Sequence, residues 1–165
     1  MKNGSGTVLR PPIRVRVVRE LRRTPAQVGE ALLQLENWPA FRGYGPLPGI
    51  RAARFRVRTE GVVGTQIAVT NRDGSSHVEE ITEWLNPNAI VLRLSEFTAP
   101  LCFLATHFIE RWVFVPAPAG CRAERSFELY PRTWWGGVLL RLIAPLLRRA
   151  AERHLSDLER APSPG

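Results

Sequence analysis

The stretch WGGVLLRLIAPLLRRAAERHLSDL, residues 135–158, decides the fold. Leu139, Ile143, Leu147, Ala151, Leu155 and Leu158 recur at helical spacing and form an apolar stripe, widened by Leu142, Leu146, Ala150 and His154. Arg141, Arg148, Arg149, Glu152 and Asp157 occupy most of the other side. A single amphipathic helix must bury such a stripe against something. Pro145 lacks a backbone donor and predicts a kink near Arg141. Its nearly all-apolar part, Trp134–Leu147, is too short, and too interrupted by Arg141 and Pro145, to span a bilayer. The partner of the helix must therefore come from the rest of the chain.

Working outward, that partner reads as a sheet. From Ile13 to Leu21 the residues alternate, with Ile13, Val15, Val17, Arg19 and Leu21 on one side and Arg14, Arg16, Val18 and Glu20 on the other. Thr24-Pro25 is an N-cap followed by a favoured first helical residue. Val28, Ala31, Leu32 and Leu35 then supply the stripe of a short helix, which Asn37-Trp38-Pro39 breaks before one further turn at Ala40-Phe41. Strands are predicted at Ile50–Thr59, Val63–Asn71, His77–Leu85, Ala89–Phe97, His107–Val115 and Arg122–Tyr130. Between them stand Glu60-Gly61, Asn71–Ser75, Asn86-Pro87-Asn88 and Pro116–Gly120, all turn sequences. Links this short imply an antiparallel meander rather than parallel strands with helical crossovers. The glycine-rich segment Gly43–Gly49 follows a helix and carries two prolines. A phosphate-cradling loop follows a strand and opens a helix, so this one is a turn-rich connection. The expected class is α+β: a curved antiparallel sheet of about seven strands wrapped around the long C-terminal helix, with two short helices after the first strand.

Composition agrees with one packed unit. A chain of 165 residues with 44% hydrophobic content can bury a substantial core. The division expected is a flexible segment over residues 1–12, a single domain over 13–160 and a flexible tail over 161–165. Cys102 and Cys121 show neither metal-like nor redox spacing, and MKNGSG has no apolar leader region. A reducing, cytoplasmic setting with two free thiols is expected. The formal charge is +8, and Lys2 is the only lysine among 23 basic residues. That bias toward arginine matches a codon preference as well as it matches selected chemistry. The arginines alternate with apolar residues in the strands, as a solvated face does, and no recognition helix or base-stacking ribbon is evident. No specific nucleic-acid partner is expected.

The last two strands carry an unusual pair. Phe108, Trp112 and Phe114 share a side with Glu110, and Cys121, Ala123, Phe127 and Leu129 share a side with Arg125. Aligned faces would set Glu110 opposite Arg125, Trp112 opposite Ala123 and Phe114 opposite Cys121, with Arg111 meeting Glu124 behind them. A carboxylate and a guanidinium on an apolar inner face must pair, because burying either alone is costly. The two readings of that pair are a structural cross-strand contact and the polar anchor of a ligand pocket. Catalytic signatures are otherwise absent from the sequence: no metal-binding helix, no nucleophile turn, no dinucleotide loop. Glu79, Glu80 and Glu83 read as solvated carboxylates, His77 and His107 as residues near loops, and His154 as a core histidine. No metal and no cofactor are expected.

This pattern resembles the START/polyketide-cyclase superfamily, the helix-grip proteins also grouped as SRPBCC. The resemblance rests on RVRVVRELRRTPAQVGEALLQLENWPAF, DGSSHVEEITEWLNPNAIVLRL and APLLRRAAERHLSDLERA, and spans about residues 13–160. It implies a helix-grip fold with a cavity between sheet and long helix that holds a lipid, polyketide, quinone or similar hydrophobic molecule. The cavity expected here is lined by Phe108, Glu110, Trp112, Arg125, Phe127, Ile143 and Leu147. Three roles stay open: a binder of a hydrophobic small molecule, a cyclase or dehydratase using cavity carboxylates or histidines, and a lipid-transfer module. The last would touch an anionic membrane surface transiently through Trp134 and Trp135.

Overall fold

The computed structural model describes residues 10–160; the expected flexible tail at 161–165, and nearly all of the expected N-terminal segment, lie outside the described residues. The first strand, β1 (Ile13–Leu21), follows its alternation, with Val15, Val17 and Leu21 buried. Helix α1 (Pro25–Leu33) starts as read: the Thr24 hydroxyl accepts from the Gln27 N–H at 3.3 Å, and Gln27 Oε1 accepts from the Thr24 N–H at 2.9 Å. A 3-10 segment over Leu35–Ala40 contains the Trp-Pro bend, and the Trp38 indole donates to the Leu32 carbonyl at 3.0 Å, folding the bend back on α1. The Gly43–Gly49 connection is more ordered than a plain turn. It forms a two-residue hairpin, β2 (Gly43–Tyr44) with β3 (Leu47–Pro48), made feasible by Gly43 and Gly45 at positive φ.

The meander follows: β4 (Ile50–Val57), β5 (Gln66–Asn71), β6 (Ser76–Leu85), β7 (Ala89–Ser95), β8 (Ala105–Ala117) and β9 (Gly120–Pro131). With β1 they form a seven-stranded antiparallel sheet in the order β1-β9-β8-β7-β6-β5-β4, so the first strand closes beside the last. A short helix, α2 (Leu101–Leu104), stands between β7 and β8, where no helix was expected. The long helix α3 (Trp134–Arg160) packs against β1, β8, β9, α2 and the β2–β3 hairpin. The main core joins Val15, Val17, Ile81, Leu92, Trp112 and Phe127 of the sheet to Leu140, Leu147, Ala151 and Leu155 of α3.

Two readings need correction. The β8–β9 turn is tighter than Pro116–Gly120, since Ala117 already pairs with Gly120. This moves the register by two residues: Glu110 faces Phe127, Trp112 faces Arg125, Phe114 faces Ala123, and Cys121 faces Pro116. A shift of two preserves which side of the sheet each residue occupies, so Glu110 and Arg125 remain on one face. On the outer face Arg111 stands opposite Ser126 and reaches Glu83 at 3.5 Å, while Glu124 is held by Arg16 at 2.7 Å.

The second correction concerns the start of α3. Leu139 and Leu142 are exposed, and Leu140 is the fully buried residue. The beginning of the helix is apolar all round, so spacing alone does not choose its inner side. Gly136 chooses it: a Cβ there would stand 2.5 Å from the Leu104 carbonyl oxygen, so the helix lies against α2 on its glycine side. Gly136→Ala is expected to cost about 1–3 kcal/mol in urea unfolding, because the clash is with backbone that must shift. Gly61→Ala, which meets nothing within 4 Å, should stay within about 0.5 kcal/mol of the parent.

Candidate functional site

Between the concave side of the sheet and α3 lies a cavity of about 850 Å³. This is a ligand-sized space, since small-molecule sites typically run ~300–1,000 Å³. Its lining includes Phe108, Glu110, Trp112, Arg125, Phe127, Ile143 and Leu147, so the structure gathers all seven residues singled out in the sequence around one space. The sheet places them by register: Ile81, Leu92, Glu110, Phe127 and Val15 form one row across five strands, and Trp84, Ile90, Trp112, Arg125 and Val17 form the next.

At the junction of those rows sits a buried polar cluster. Arg125 Nε donates to Glu110 Oε1 at 2.6 Å, and the Trp112 indole donates to the same oxygen at 2.6 Å. Arg125 Nη1 donates to His154 Nδ1 on α3 at 3.0 Å, which ties the sheet to the helix. The guanidinium carbon lies 4.7 Å from the Trp112 ring centre, 4.9 Å from Phe127 and 5.4 Å from Phe41. Such faces attract a cation that has lost its water. Burial pushes the Glu110 carboxyl up from its ordinary value, opposed by Arg125 and the Trp112 hydrogen bond. Burial, and secondly the Arg125 charge, bring His154 down to about 3. His154 is thus a neutral acceptor for Arg125, in line with its reading as a core histidine.

A second polar pair was missed. Glu79 is buried, its Oε1 lies 3.0 Å from His77 Nε2, and both residues line the cavity. A bulge between Ile81 and Glu83 breaks the alternation of β6, so Glu83 goes outward to Arg111 while Glu79 stays inside. The signal was present in the His77, Glu79, Ile81 periodicity, with a buried isoleucine marking the inner side. Trp38, Phe41, Leu92, Leu94 and Phe97 also line the space. His107 stacks on Tyr130 at 4.3 Å instead, away from the lining. Among the described residues no cluster of His, Cys, Asp and Glu could hold a metal ion, and no helix is long and apolar enough to cross a membrane.

A curved sheet gripping one long helix around a partly polar cavity defines the helix-grip class. The chain belongs to the family described as polyketide cyclase / dehydrase and lipid transport, whose profile matches residues 12–161. Solved structures share its fold. A START superfamily protein from Mycobacterium smegmatis superposes with a TM-score of 0.69 at 12% identity, covering 89% of this chain and 97% of that one. TTHA0849 from Thermus thermophilus gives 0.67 at 21% identity, over 90% and 95% of the two chains. Protein CV1439 from Chromobacterium violaceum gives 0.66 at 15% identity, over 93% and 100%. No curated protein matches the chain significantly.

The neutral His154 sets an acid limit on stability. Unfolded, its imidazole takes a proton as pH falls through 6.5; folded, it does so only near 3. Its contribution is therefore complete above pH 6.5 and is lost as pH falls toward 3, at up to about 1.4 kcal/mol per pH unit. In urea unfolding at a series of pH values, His154→Gln, which can still accept from Arg125, should flatten this acid slope. An unchanged slope would assign the acid sensitivity to other groups.

Proposed function

We propose that the protein binds a hydrophobic small molecule, of the lipid, polyketide or quinone kind, in the cavity between its sheet and α3. The observation that carries this reading is the unfilled space of about 850 Å³ among mainly apolar side chains, in a family whose description includes lipid transport. A protein interior normally closes to crystal-like density, so a ligand-sized, largely apolar cavity between sheet and helix supports binding of an apolar molecule. N-phenylnaphthylamine, whose fluorescence rises in apolar surroundings, should bind in a saturable way. Ile143→Trp, which fills the space from α3, should weaken that binding roughly tenfold or more. Saturable binding that Ile143→Trp leaves intact would place the probe elsewhere and remove the reading's support.

A separate observation supports docking on an anionic membrane surface. Trp134 and Leu142 are each 67% exposed and Phe103 is 59% exposed, with Trp135, Val138 and Leu139 beside them on the start of α3. Leu101 and Leu104 of α2 and Ile143 and Leu146 of α3 line the cavity, so this apolar surface borders its rim. Residues 131–151 contain Arg132, Arg141, Arg148 and Arg149 and no acidic residue. Exposed aromatics flanked by arginine suit a bilayer interface carrying negative lipids. Co-sedimentation with phosphatidylserine vesicles is expected near physiological salt, and Trp134→Ser plus Trp135→Ser should abolish most of it. Duplex DNA should be released under the same conditions as counterions compete. DNA retention without vesicle binding would reverse this assignment.

A further inference from the structure

The polar groups on the cavity wall restrict the chemistry of its occupant. Arg125 is 7% exposed, yet only part of its hydrogen-bonding capacity is used. Nε goes to Glu110 and Nη1 to His154, and among the described residues Nη2 has no partner. The residue lines the cavity and Nη2 is not sealed off by neighbouring atoms, so this donor opens onto the space. An arginine held by a carboxylate, an imidazole and three aromatic rings is rigidly placed, which makes its remaining donor a fixed point of recognition.

The charge of the site limits what can accept from it. Two N–H donors converge on Glu110 Oε1, an arrangement that suits an ionised carboxylate, and the pair is internally balanced. Glu79 is a second buried carboxylate on the lining, close enough for its charge to act on Glu110. The buried charges on the lining already balance, Arg23 and Arg125 against Glu79 and Glu110, so a ligand carboxylate would bring an uncompensated charge into a space of low polarity, beside two carboxylates that repel it. A neutral carbonyl oxygen meets the same donor without that repulsion. The remaining walls include Trp38, Phe41, Phe97, Phe108, Trp112 and Phe127, which favour flat ring systems over flexible chains.

We infer that the cavity selects a neutral, ring-bearing molecule whose carbonyl oxygen accepts a hydrogen bond from Arg125 Nη2, and that it discriminates against free carboxylates. This rests on the cavity reading above, and three probes sharing one ring system separate the two. Acetylpyrene carries the carbonyl, ethylpyrene is its apolar match and pyrenecarboxylate is the anion. In fluorescence titrations acetylpyrene should bind about tenfold tighter than ethylpyrene, the size expected for a hydrogen bond to a charged donor. Pyrenecarboxylate should bind weakest. In Glu110→Gln plus Arg125→Met, which leaves no buried charge of the pair behind, acetylpyrene should fall to the affinity of ethylpyrene. Retained ethylpyrene binding shows that this variant is folded; if it is not, the comparison on the parent protein still decides. Failure of all three probes to bind the parent would remove the cavity reading itself. Ethylpyrene binding with no preference for acetylpyrene, or with pyrenecarboxylate equally tight, would leave the cavity standing and overturn this inference.

Discussion

A guanidinium buried in an apolar interior must be supplied with partners, and the arrangement around Arg125 follows from that need. Its carboxylate comes from β8, its acceptor nitrogen from α3, and its aromatic faces from β8, β9 and the segment after the Trp-Pro bend. Sheet, closing helix and front helices therefore meet at one side chain. Removing one member of such a pair leaves an uncompensated charge and typically costs ~3–5 kcal/mol, whereas removing both costs much less.

The cavity lies beside this cluster. Further along the long helix, Leu147, Ala151 and Leu155 join Val15 and Val17 in the main core, while His154, Asp157 and Leu158 line the cavity. Near the start of α3 the close approach of Gly136 to α2 fixes the helix, and the bulky residues around it turn out toward solvent. One helix is in this way both core and cavity wall along most of its length and an exposed apolar surface at its beginning.

Much of this was legible in the chain. Alternation in β1, β8 and β9, the capping box at Thr24 and the turn residues between strands are local signals, and each element formed close to where those signals placed it. The side of the sheet carrying Glu110 and Arg125 was legible too, because a side-chain period of two survives an error of two in register. What was not legible depended on the partner strand or helix. The β6 bulge, which turns Glu83 away from the side that Glu79 shares with Ile81, lies in how β6 meets β7. The choice of Leu140 over Leu139 and Leu142 lies in how α3 meets α2.

The sequence by itself determined the class: an antiparallel meander, one long amphipathic helix to cover it, and a charged pair that had to be buried together. Those outcomes rest on periodicity and on the cost of burying charge, both properties of short stretches. Only the tertiary structure decided that the charged pair also reaches His154, that His77 and Glu79 join it around one space, and that the start of α3 keeps its aromatics outside. These depend on distances between elements far apart in the chain, set by packing at Gly136 and by strand register.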